Sequence, residues 1–175
     1  MRPNLATEMV LLIASATVVA IGAMYGSLQG MFNAGVMYFD TGYQPTFWEL
    51  VIPAFFNGLC CSFCPTVPCL GVFIFLAITT FEIEVVGRGF QKVFLLVWLV
   101  GFLNGAIFAA LMMAIFQISA DFMNDNVIFS LAIAASLVTL VVDGIIIILR
   151  YRWVRHSIEG YPLGYYEPPL NYRDH

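Results

Sequence analysis

Cys60, Cys61, Cys64 and Cys69 are all the cysteines of the chain, and they fall in one short stretch that also holds Pro65 and Pro68. Cys61-Ser-Phe-Cys64 has the C-x-x-C spacing of thiol–disulfide chemistry, in which a local field stabilises the attacking thiolate. Passing a disulfide onward would require a second cysteine pair, and the sequence has none outside this stretch. Four thiolates could instead ligate zinc or an iron–sulfur cluster. Such motifs spread their ligands around an open loop, often with histidine, and the only histidines here are His156 and His175. The expectation is reduced cysteines serving as small apolar residues beside a proline-distorted segment. Cys61 and Cys64 are the candidate redox pair, and no metal site is expected.

Asp143 is the other residue whose type and place invite chemistry. It is the one acidic residue well inside an apolar run, about 9 Å before Leu149 at the helical rise per residue. An ionised aspartate at the centre of a membrane helix costs about 2.5–3.5 kcal/mol on insertion scales. No Lys, Arg or His lies inside any run to offset that. Two arrangements would: a neutral carboxyl bonded to hydroxyls, or a counter-charge from another protein. Ser15 and Thr17 are the hydroxyls expected at matching depth, with Thr139 one turn earlier. A polar staple between helices is the favoured role, because a proton relay normally uses more than one titratable member.

The elements that must position these residues follow from composition. The chain has 175 residues, 61% hydrophobic and 10% charged, with mean hydropathy +0.90. A soluble domain carries about 25% charged residues, so this chain cannot cover a globule with polar surface. Apolar runs of roughly 20 residues or more can cross a hydrocarbon core. They predict an all-α integral membrane protein with four transmembrane helices over about 9–28, 57–81, 93–118 and 127–149. A Pro/Tyr-rich tail over 150–175 completes the chain. The second helix is expected to be proline-kinked, with residues 46–56 at the interface and Pro53 as a bend. No cleavage site follows the first run, which reads as a retained span.

Topology comes from the basic residues Arg2, Arg88, Lys92, Arg150, Arg152, Arg155 and Arg173. With four spans, all lie in the N-terminus, the second connection and the tail. The other two connections carry Asp40, Asp121 and Asp125 instead. The positive-inside rule then places both termini on the inner face. Glu84 and Arg88 suit a short helical elbow there, and Asn124-Asp125-Asn126 suits the start of the last helix.

Gly22, Gly26 and Gly30, and Gly101, Gly105 and Ala109, form two small-xxx-small ladders that would let helix backbones approach closely. Asn104 sits beside the second ladder and is expected to hydrogen-bond across it.

Catalytic motifs are missing: there is no H-E-x-x-H, G-x-S-x-G or phosphate-binding glycine loop. No buried histidine is available for haem. The expected function is therefore a non-catalytic accessory subunit of a larger membrane complex, respiratory or otherwise bioenergetic, and not an enzyme. Its partners would be other membrane subunits and the lipid bilayer, its only small molecules bound lipids. The acidic balance, net charge -4, argues against nucleic acid. A small transporter or channel component using Asp143 is the alternative, and a tetraspan surface scaffold a third reading. Absent outer cysteines and N-x-S/T sequons fit the mitochondrial inner membrane or a bacterial membrane.

Overall fold

The long uncharged runs fold as long helices, since a helix satisfies every backbone polar group internally and leaves its side chains apolar. The computed structural model describes residues 5–39, 45–80, 88–120 and 123–159. Its elements are four α-helices: α1 (Leu5–Phe39), α2 (Phe47–Thr80), α3 (Arg88–Ile118) and α4 (Asp125–Glu159). Each contains a segment long and apolar enough to cross a membrane: Glu8–Val36, Phe47–Pro68, Phe90–Ile118 and Asp125–Arg155.

α1 and α4 run past their apolar runs at both ends, and α2 and α3 at their N-terminal ends. α2 begins at Phe47 rather than near Asn57, so Pro53, Pro65 and Pro68 all lie inside it. The early start has a local cause in Thr46-Phe-Trp-Glu49. A Glu49 carboxylate oxygen accepts from the Thr46 backbone N–H at 2.7 Å and from its hydroxyl at 2.8 Å. That is one arm of a capping box, and it satisfies a donor left open at a helix start. At the start of α4, the Asn124 side-chain oxygen accepts from the Val127 N–H at 3.1 Å. The same helix continues through Arg150, Tyr151, Arg152 and Trp153 to Glu159, residues expected to open the tail. The proposed elbow at Glu84 and the rest of the tail lie outside the described residues.

α1 is the hub, packing against all three other helices, while α4 rests on α1 and α3. Two apolar clusters fill the core. One, around Leu12, Val19, Val97, Trp98 and Ile147, lies toward the Arg150 end. The other, around Met31, Leu50, Met112 and Ile128, lies toward the Asn124 end. α3 adds an aromatic ladder at four-residue spacing, in which Phe90, Phe94, Trp98 and Phe102 touch in sequence. Phe102 in turn stacks on Phe63 of α2, with centroids 3.7 Å apart.

Candidate functional site

The two glycine ladders face one another across α2. A Cβ built on Gly26 of α1 would overlap the Ser62 hydroxyl and lie 2.6 Å from the Gly58 carbonyl oxygen. On Gly30 it would come 2.5 Å from the Gly58 Cα and 2.8 Å from the Ala109 Cβ. On Gly22 it would meet Thr66, on Gly101 it would overlap Val19, and on Gly105 it would overlap the same Ser62 hydroxyl. Backbone thus meets backbone along α1, α2 and α3, which is what small side chains permit. The α2 side is a third ladder, Gly58, Ser62 and Thr66, that sequence reasoning passed over. Its hydroxyls are turned back onto their own helix. Ser62 donates to the Gly58 carbonyl at 2.7 Å, and Thr66 to the Ser62 and Phe63 carbonyls at 2.9 Å each. A spacing of four between Gly, Ser and Thr was the available signal.

Asp143 lies on the opposite side of α1, in the packing of α4. Glu8 of α1 and Arg150 of α4 approach to 3.7 Å, which fixes the register between these antiparallel helices. Two turns into the bundle from that pair, seven residues along each helix, Ser15 comes level with Asp143. Shared clusters support the register: Leu12 packs in one core with Ile147, and Met31 in the other with Ile128. On α3, Gly101 against Val19 and Gly105 against Ala23 place Trp98 level with Ala16.

Three polar side chains are therefore level with one another along α1, α3 and α4. Asp143 and Ser15 are both 0% exposed and Trp98 is 5% exposed. Both Asp143 carboxyl oxygens, Ser15 Oγ and Trp98 Nε1 have no hydrogen-bond partner among the described residues. Such orphaned groups are costly, about 1–3 kcal/mol each for neutral donors and acceptors. One turn further from Arg150, the polar pairing is complete. Asn104 Nδ2 donates to Thr139 Oγ1 at 3.1 Å, and Thr139 donates to the Ala135 carbonyl at 2.8 Å.

The Asp143 side chain is enclosed by the chain's own helices, with Ser15 at its depth. Thr17 is not part of this layer. It is exposed on α1, and its hydroxyl donates to the Ile13 carbonyl at 3.0 Å. Trp98 enters instead, a residue hidden from sequence reasoning because an aromatic in an apolar run looks like core.

The cysteines lie within α2, inside the second apolar run. Cys60, Cys61 and Cys64 are free thiols; Cys60 and Cys64 are exposed and Cys61 is half-buried. Asn33 Nδ2 donates to Cys61 Sγ at 3.5 Å. Pro65 and Pro68 lack the amides that would have met the Cys61 and Cys64 carbonyls. Among the described residues, no group of three or more His, Cys, Asp or Glu is placed to hold a metal.

The class these observations define is an all-helical bundle of four helices, each long and apolar enough to span a membrane. No family model matches the chain, and no curated protein or solved structure matches it either.

Proposed function

We propose that this chain is an integral membrane protein acting as a non-catalytic, structural subunit of a larger membrane assembly. The observation that carries the reading is the closed α1–α2–α3 seam. From Gly101 and Val19 to Gly30 and Gly58, the contacts leave too little space for even one added methyl group. A core filled by backbone offers no passage, and the outward surface becomes the working surface. That surface is apolar on every helix, as Ile21, Phe56, Leu103 and Ile145 illustrate, and it suits lipid and neighbouring subunits. The basic residues favour insertion with the Arg150 end on the inner side. A mitochondrial inner membrane or a bacterial membrane, in a respiratory or other bioenergetic complex, is the setting we favour.

Native electrophoresis in mild detergent, followed by mass spectrometry, tests the reading. The chain should travel with other membrane proteins at fixed stoichiometry. Migration of the folded chain alone, at every detergent concentration that keeps known complexes intact, rules it out.

A second reading has its own specific observation. The orphaned Asp143 carboxyl, level with Ser15 and Trp98, is what a proton- or cation-handling site in a small transporter or channel component would contain. The two readings part at Asp143→Asn, which keeps the shape and removes the titratable group. Under the structural reading the assembled complex keeps its activity; under the second, the complex assembles and transport stops.

A further inference from the structure

A groove of about 620 Å³ runs between α3 and α4 at the Arg150 end, lined by Val93, Leu96, Ile146, Leu149, Arg150 and Trp153. Its walls are four aliphatic side chains. Its polar chemistry is concentrated in Arg150, whose guanidinium is held in two ways. One amino nitrogen approaches Glu8 at 3.7 Å. The guanidinium carbon stands 5.3 Å from the Trp153 ring centroid, within cation–π range. The Nε is buried and has no hydrogen-bond partner among the described residues. Lys92 and Arg152, both exposed, add positive charge at the same end.

We propose that this groove binds one anionic glycerophospholipid, with an acyl chain along the aliphatic walls and the phosphate on Arg150. The site rests on the membrane location proposed above but not on the association role. An aliphatic groove open to the bilayer is filled by hydrocarbon in preference to water, because water there would forgo its hydrogen bonds. The Arg150 side chain keeps 14% of its surface exposed, and a guanidinium at the mouth of the groove attracts a phosphate through charge-assisted hydrogen bonds. Glu8 on α1 approaches one amino group and so orients the guanidinium. Basic pockets between membrane helices on the inner side are places where acidic headgroups dock. Trp153, on the last exposed turns of α4, suits the headgroup level.

The groove also has a defined depth. It reaches Leu96 and Ile146, and Ile146 lies less than one turn from Asp143. A bound chain would cap the buried polar layer from the Arg150 end.

The test is lipid retention by the full chain in nanodiscs holding equal amounts of phosphatidylglycerol and phosphatidylcholine, read by native mass spectrometry after detergent release. The wild type should keep phosphatidylglycerol in clear excess. Glu8→Gln/Arg150→Gln, which removes both charges together, should still bind phospholipid but lose the headgroup preference. Leu96→Trp, which fills the groove, should lose retained lipid several-fold, with helicity by circular dichroism unchanged. An unaltered preference in the double variant, or unaltered retention in Leu96→Trp, overturns the proposal. Equal retention of both headgroups by the wild type does so as well. A wild-type chain that never enters the nanodisc fails the membrane reading itself, a result distinct from entry without selectivity.

Discussion

Asn104 and Thr139 join α3 to α4 through a 3.1 Å hydrogen bond, one turn from an Asp143 carboxyl that has no partner among the described residues. Neighbouring layers of the same interface thus differ sharply. One is satisfied and the other is not.

The satisfied layer should behave as an ordinary interhelical contact. A double-mutant cycle on Asn104→Ala and Thr139→Val should return a coupling of about 0.6–1.7 kcal/mol in reversible unfolding in detergent. Additive effects of the two substitutions would show that the bond contributes nothing across the interface.

The unsatisfied layer should respond in the opposite direction. Asp143→Val removes an orphaned polar group and fills similar space, so the isolated protein should be as stable as the wild type or more so. The gain has a ceiling of about 1–3 kcal/mol, the cost of leaving such a group unmade. A large loss of stability on Asp143→Val would mean that the carboxyl has a strong partner inside the bundle.

The seam predicts a contrast between two glycines. Gly26→Ala must push against the Ser62 and Gly58 backbones and should cost about 1–3 kcal/mol. Gly144 has nothing within 4 Å of a built Cβ, so Gly144→Ala should be neutral or stabilise by up to about 1 kcal/mol through helix propensity. Melting temperatures of the two variants, measured side by side, decide it. Equal melting temperatures would dissolve the seam.

At the start of α2, Thr46→Ala and Glu49→Gln test the cap. Glu49→Gln keeps an acceptor and should cost only tenths of a kcal/mol. Thr46→Ala should cost about 0.5–2 kcal/mol, read by unfolding and by faster amide exchange in Trp48–Val51. Unchanged exchange in both variants would argue against the cap.

How much of this was legible in the sequence differs from residue to residue. Four helices followed from hydropathy, because nothing else hides that many apolar residues. Their ends did not, since helices continue past the apolar core wherever a local cap allows. Thr46-Phe-Trp-Glu49 carried that signal in plain view, three residues apart, but the count from the apolar run placed the start of α2 at Asn57. The α1 and α3 ladders were readable from their glycines. Their common partner, Gly58-x-x-x-Ser62-x-x-x-Thr66, was masked by the cysteines and prolines around it. Depth along a helix could be counted from the sequence, which is how Ser15 was set against Asp143. Rotation about the axis could not. In α1 and α4, apolar residues occupy every side, so no polar face revealed that Thr17 looks outward and Asp143 inward. Trp98 carried no polar signal at all until its indole nitrogen was seen buried.

The Glu8–Arg150 pair has a consequence for the order of biosynthesis. It ties α1 to α4, so α1 is made well before α4 exists to cover it. Gly22, Gly26 and Gly30 can zip onto α2 as soon as that helix is made. Ser15 and Glu8 must wait, uncovered, until α4 has been translated. A chain stopped before Asp125 would hold its glycine seam yet present a vacant flank to the cell's quality-control machinery. α4, rather than the tightest contact, then sets the moment at which this bundle closes.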